Sequence, residues 1–244
     1  MAVADTLQLL QHGSLEVKGL LPWSSNYTFL VQICRDGEDI EAVYKPQRGE
    51  RPLWDFPQGT LYLRERAAFL TSHSLGWDLV PATVVRDGPH GLGSVQEFVE
   101  HDPDRHYFTI EGQAQYREQL QQIVLLDVII NNADRKGGHI LLQEQENKPS
   151  RLWAIDHGVC FHAEQKLRSV IWEFAGNPIP QNLMTALNLF HENLAVDTDQ
   201  IRTQLNLLLS EREVIALLHR LRNLTNQGIF PHPGPGRHYP WPPV

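Results

Sequence analysis

At 244 residues the chain is long enough for one large domain or two small lobes sharing a cleft, and its formal net charge of −8 argues against a nucleic-acid-binding surface as its main function. No segment approaches the ~20 apolar residues of a membrane-spanning helix, and the first residues lack the basic and apolar regions of a secretion signal. Cys34 and Cys160 read as two buried thiols instead of a disulfide, and the expectation is a cytoplasmic protein with no nucleic-acid partner and no integral membrane association.

Residues 14–46 read as three strands. Leu15, Val17 and Leu20 lie on the first, Tyr27 to Cys34 form the second and Ala42 to Lys45 the third, with Asp36-Gly37 as the hairpin signal between the last two. Ser24, Ser25 and Asn26 cluster at the first bend, where they serve either as an Asx- or ST-type turn or as donors that cover a nucleotide's phosphates. Lys45 ends the third strand against Pro46, and a polar, turn-rich insert follows to Gly59. The next helix, Leu61 to His73, buries Leu63, Ala67, Phe69 and Leu70 and carries Glu65. Glu65 is either a surface charge or the partner that fixes the Lys45 ammonium against phosphates. Leu79 to Val85 and Gly93 to Val99 are two more strands around the turn Arg86-Asp-Gly-Pro-His-Gly91, which completes a small antiparallel sheet with one helix. A base would lie along Gln96, Phe98 and Val99, held by backbone groups. The polar stretch from Glu100 to Arg105 is the expected boundary: residues 1–99 as a nucleotide-binding lobe, 100–230 as a mainly helical lobe and 231–244 as a proline-rich arm.

Gly112 to Asn132 has helical spacing in Tyr116, Leu120, Ile123, Val124 and Val128 and turns apolar on every side in its second half, the mark of a buried helix. It empties into Asp134-Arg-Lys136-Gly-Gly-His139. Two short strands, Ile140 to Leu142 and Leu152 to Ile155, then bring Asp156 back toward Asp134. Carboxylates that converge in this way can face an acceptor hydroxyl and a divalent cation side by side. Each is also an ordinary loop residue when taken alone. His157 and His162 offer metal-dependent hydrolysis with Asp156, although their spacing matches no familiar hydrolase motif. Beyond Gly158 lie helical segments at Pro178 to His191 and Asp197 to Leu209, and a helix that Ser210-Glu-Arg-Glu213 caps with capping-box spacing. The prolines of 231–244 exclude helix and central strand, and Tyr239 and Trp241 suggest anchoring.

In this order, Ala42-Val-Tyr-Lys45-Pro46, Glu65, Val80-Pro81, Gln96-Glu-Phe-Val-Glu100, Asp127-x-x-Ile130-x-Asn132-x-Asp134-Arg135 and Ala154-Ile-Asp156-x-Gly158 form a pattern that resembles the phosphatidylinositol 3-/4-kinase superfamily. The likeness is nearest to the type II phosphatidylinositol 4-kinases and to a bacterial branch of this chain length. It implies an α+β, bilobal protein-kinase-like fold with a small antiparallel-sheet lobe, and an ATP-dependent kinase acting on a protein or small-molecule hydroxyl. It further implies that Lys45 contacts the phosphates, Glu65 orients Lys45, Asp134 faces the acceptor, Lys136 touches the transferred phosphate and Asp156 binds Mg²⁺ or Mn²⁺. His139 stands where relatives place a metal-binding Asn, and imidazole favours Mn²⁺ over Mg²⁺. The glycine-free turn at Ser24 to Asn26 departs from the family as well. So does the missing Cys-rich, lipid-modified insertion, which counts against a phosphoinositide substrate. A lipid kinase, an idle ATP-binding module and a nucleotidyl transferase are the alternatives.

Overall fold

The computed structural model describes residues 1–22, 26–145 and 148–244. The chain opens with α1 (Val3–His12) and continues through β1 (Ser14–Leu20), β2 (Phe29–Arg35), β3 (Glu38–Pro46), α2 (Leu61–Ser74), β4 (Thr83–Gly88) and β5 (Gly91–Glu97). These strands form one five-stranded antiparallel sheet in the order β1-β2-β3-β5-β4. Asp36 and Gly37 make the β2–β3 turn with φ of 54° and 86°, the two positive values that match a tight hairpin to strand twist. Alternation along β3 puts Ala42 and Tyr44 in the core and turns Val43 and Lys45 toward the cleft. Opposite Lys45 and Pro46 the β5 backbone runs so close that a Cβ on Gly93 would stand 2.5 Å from the Lys45 carbonyl oxygen, so this register needs glycine.

The fold differs from the expectation in several places. The helix α1 was not foreseen; it lays Leu9 and Leu10 on the sheet, which therefore carries two helices. Strand β4 starts at Thr83 instead of Leu79, because Pro81 has no N–H to give a ladder and the chain before it serves the other lobe: Leu79 O accepts from Ala154 N at 2.8 Å. The β4–β5 turn is correspondingly tight, at Pro89-His90. Cys34 is exposed while Cys160 is buried, and both are free. Val31 and Ile33 take the inward face of β2, so Cys34 falls on the other.

The second half contains α3 (Tyr107–Ile110), α4 (Arg117–Ile130), the hairpin β6 (Ile140–Gln145) with β7 (Lys148–Ala154), and α5 (Gln181–Ala195), α6 (Gln200–Leu208) and α7 (Glu211–Gln227). Helix α4 ends on Asn131 in the left-handed region, φ 55°, which turns the chain sharply into the Asp134 loop. Ser210 and Glu213 form the expected capping box of α7, and Asp199 caps α6. Helix α2 is buried on most sides because it is wedged between the sheet and the helical lobe. The architecture is α+β and bilobal, with the cleft between sheet and hairpin. No helix among the described residues is long and apolar enough to cross a membrane.

Candidate active site

Between the lobes lies a cleft of about 490 Å³. Its roof is the sheet face that bears Val43 and Lys45, its back is the segment from Gln96 to Val99, and its floor carries Asp134, Lys136, His139, Leu141 and Asp156. One end is apolar, with Val43 above and Leu141 below, and the other is charged. That division suits a ligand with a flat base and a polyanionic tail.

The charged end is built around Lys45. Its Nζ stands 2.5 Å from Glu65 Oε1 and 2.9 Å from Asp156 Oδ1. Burial alone would drive the proton off; the carboxylates of Asp156 and Glu65 overcome it, so the ammonium is held more firmly than a free lysine's. Asp156 in turn is held well below the usual carboxylate range by Lys45, against the effect of burial and with help from His139. Glu65 is itself buried, and its second oxygen accepts the His157 N–H at 3.0 Å. One side chain of α2 therefore fixes both the Lys45 ammonium and the backbone next to Asp156. Asp156 sits at φ 60°, a left-handed conformation that aspartate tolerates better than bulkier residues do.

Asp134 lies at the head of its loop with its N–H bonded to Asn132 Oδ1 at 2.9 Å and its carboxylate 3.5 Å from Lys136 Nζ. Burial raises its pKa, Lys136 opposes the rise and Asp156 adds to it, which makes it a better proton acceptor than a solvated aspartate. His139 Nε2 stands 3.4 Å from Asp156 Oδ2. Burial pushes the His139 pKa down to about 4, so the ring is neutral near pH 7. A neutral imidazole beside an ionised carboxylate is a donor set that fits one divalent cation, although no group of three His, Cys, Asp or Glu side chains gathers among the described residues. Such a pair serves a cation that takes its remaining oxygens from phosphates and water.

What holds these loops is Arg135, a residue of the Asp134-Arg-Lys136 stretch whose sequence neighbourhood announces no role. Arg135 is fully buried and grips Asp127 through two bonds, Nε to Oδ2 at 2.8 Å and Nη2 to Oδ1 at 2.9 Å. Its Nη1 donates to the carbonyls of His139 and Ile155 at 3.1 and 2.9 Å. Nη2 also meets His157 Nε2 at 2.7 Å, where burial and the guanidinium keep the imidazole neutral and able to accept. The Asp134 loop, the start of β6 and the residue before Asp156 thus hang on one guanidinium. His157 is committed to this network, and the backbone carbonyls of His162 and Glu164 are tied to Asn131 Nδ2, so the two histidines do not assemble a hydrolase centre with Asp156.

Of the residues expected at the site, Lys45, Glu65, Asp134, Lys136, His139 and Asp156 come together in the cleft, and Gln96, Phe98 and Val99 line its back. The Gln96 side chain is bonded to Thr83 Oγ1 at 2.8 Å, and the Phe98 N–H is spent on Glu41 O at 3.0 Å. Asn26 reaches the rim, but its Oδ1 accepts from Arg51 N at 2.8 Å and so orders the insert. Ser24 and Ser25 lie outside the described residues. Val43 and Leu141 were not expected as walls of the cleft; Val43 lies two residues before Lys45 on β3 and so shares its face, whereas His139 belongs to the turn ahead of β6 and strand alternation gives no such signal for Leu141.

Comparison with known proteins agrees with this fold. Residues 79–195 match the family described as phosphatidylinositol 3- and 4-kinase. Protein Rv2133c of Mycobacterium tuberculosis is 35% identical over 271 aligned residues, which cover 98% of this chain and 95% of that protein. The phosphatidylinositol 4-kinase gamma 4 of rice is 32% identical over 156 residues, 51% of this chain and 27% of the plant protein. Among solved structures, the Golgi casein kinase with Mn/ADP bound superposes with a TM-score of 0.63 at 17% identity, covering 92% of this chain and 74% of that one. The Helicobacter pylori proinflammatory kinase CtkA does so with a TM-score of 0.55 at 12% identity, covering 91% and 94%. The fold is that of a kinase; residues 79–195 carry the match to the phosphatidylinositol 3- and 4-kinase family, and over nearly its whole length the chain belongs to one family with the mycobacterial protein.

Proposed function

We propose that the protein is an ATP-dependent phosphotransferase that delivers a phosphoryl group to a hydroxyl of a protein or small molecule. The observation that carries this reading is the gathering of Lys45, Glu65, Asp134, Lys136 and Asp156 at the charged end of one cleft whose other end is apolar. In this reading residues 1–99 cover the nucleotide, residues 100–230 supply the catalytic loops and residues 231–244 form an arm. The base lies between Val43 and Leu141 along Phe98 and Val99, and the ammonium of Lys45 takes up charge on the phosphates. Lys136 stabilises the oxygens of the transferred group, and Asp134 accepts the proton that the hydroxyl loses. Asp156 and His139 would hold Mg²⁺ or Mn²⁺, which when bound neutralises phosphate charge.

A phosphoinositide acceptor is the second reading, supported by the family match. Incubation with α- and γ-labelled ATP under each metal, beside Asp134→Ala and Asp156→Ala, decides among the activities. Transfer of γ label to an acceptor in lysate, lost in both variants, is expected. Transfer of α label would instead mark a nucleotidyl transferase, and binding without any turnover an idle module. Label captured by phosphatidylinositol vesicles and by no protein would favour the lipid reading.

A further inference from the structure

On the other side of the catalytic loop from the cleft, and sharing no lining residue with it, is a second cavity of about 460 Å³. Residues 165–168, α7 and the proline-rich arm enclose it. Its charged lining is entirely basic: Lys166, Arg168, Arg220 and Arg237, joined by His232 and His238, with no carboxylate among the lining residues. In a chain of net charge −8 that concentration is opposite in sign to the bulk.

Lys166 is neutralised by Asp55 at 2.9 Å, but Arg168, Arg220 and Arg237 have no carboxylate within salt-bridge distance among the described residues. Arg220 is fixed by Nε donating to Ile129 O at 2.8 Å and Nη1 to His162 O at 3.2 Å, while its Nη2 is buried without an acceptor. Arg168 Nε is buried and unpartnered in the same way. Burial lowers the Arg220 pKa to about 10, against smaller opposing effects of Cys160 and Glu213. An oxygen-rich anion in the cavity would supply the counter-charge that this all-basic lining lacks. A phosphoryl group, with terminal oxygens that accept from several guanidiniums at once, matches this donor set, and the volume leaves room for what carries it.

We propose that this cavity is a second binding site, separate from the nucleotide cleft, for a phosphate-bearing anion held by Arg168 and Arg220, with Arg237 contributed by the arm. The site stands whether or not the cleft transfers phosphate. It is also joined to the catalytic loop, since Arg168 N donates to Asn132 O at 2.9 Å and Arg168 O accepts from Arg135 N at 3.0 Å.

Titration calorimetry of the full chain with inorganic pyrophosphate tests this. Binding should persist in Lys45→Met, which removes the phosphate partner in the cleft, and should weaken about tenfold in Arg168→Gln and Arg220→Gln. Arg237 is exposed, so Arg237→Gln keeps the fold and should weaken binding several-fold even if the other variants fail to fold. The proposal is overturned by no binding, by binding that Lys45→Met abolishes, or by affinity that folded arginine variants leave unchanged. Flotation with phosphatidylcholine vesicles containing phosphatidylinositol 4-phosphate identifies the source. Flotation that Arg237→Gln abolishes assigns the phosphate to a lipid headgroup, and pyrophosphate binding without flotation assigns it to a free phosphate compound.

Discussion

Arg135 shows how much can rest on one buried charge. A guanidinium carried into the interior must find partners for all its N–H groups, and this one finds them in Asp127, His139, Ile155 and His157. Lysine at this position would keep the charge but not the fork, so Arg135→Lys should lower stability by about 3 kcal/mol, read from urea unfolding, and abolish turnover. Asp134→Asn is the contrast: it removes a proton acceptor from a loop held by other atoms, and should leave the unfolding midpoint within about 0.5 kcal/mol of the parent while turnover falls at least about a hundredfold. The difference between the two explains what a sequence reveals. Lys45, Glu65, Asp134 and Asp156 are legible because their types, order and distance along the chain state a chemistry. Arg135 acts through carbonyls of residues that approach it only after β6 and β7 have paired, and nothing in its own neighbourhood announces that.

Among the elements, α2 and α7 are joined by a buried pair, Arg64 Nη2 to Glu213 Oε1 at 2.6 Å, while Arg64 Nη1 donates to Cys160 O at 2.7 Å. Glu213 is also the capping-box residue of α7, its Oε2 accepting from Ser210 N and Oγ at 2.9 and 2.8 Å. Burial would raise the Glu213 pKa, but Arg64 and Ser210 overcome it and the folded value lies below the ordinary one. A depressed carboxylate lends stability above its unfolded pKa, near 4.5, and loses it as the pH falls through the folded value. Glu213→Gln keeps a cap and loses the charge, so it should cost about 3 kcal/mol at pH 7, and the gap from the parent should close steadily below about pH 4.5 in unfolding curves taken across pH. The capping box itself is visible in Ser210-Glu-Arg-Glu213; its second task is not, because Arg64 lies far back in the chain. Helix α1 was legible in retrospect from Leu7 and Leu10 ahead of Gly13, whereas the late start of β4 depends on Leu79 being claimed by the other lobe.

For the molecule as a whole, the lobes meet beyond α2 as well. The insert after β3 sends Asp55 to Lys166 at 2.9 Å, and the same ammonium lies 5.3 Å from the Trp54 ring centroid. This tie lies outside both lobes' hydrophobic cores and bridges the insert to the other lobe, so breaking it should change the closure of the cleft as well as the stability of the fold. Asp55→Asn is expected to lower stability by about 1–2 kcal/mol, since the pair is only 13% and 16% exposed, while raising the nucleotide dissociation rate several-fold, measured by stopped-flow release of a fluorescent ATP analogue. It should also leave Lys166 free to face the basic cavity and tighten pyrophosphate binding there. The bilobal plan could be read from the order of strands, helix and loops. The path of the arm could not, because proline excludes helix and central strand without specifying where an extended chain comes to rest.

That path brings Pro243 O to the Gly137 N–H at 2.8 Å and sets Val244 against Gly138, one and two residues beyond Lys136. A Cβ on Gly137 would press on the Phe108 ring at 2.8 Å, so the loop has little room to retreat from what lies upon it. Whatever follows Val244 emerges beside the loop proposed to receive the acceptor. An affinity tag fused there would crowd the reaction it was meant to help measure, and a preparation tagged at the other end is the one whose kinetics describe the protein.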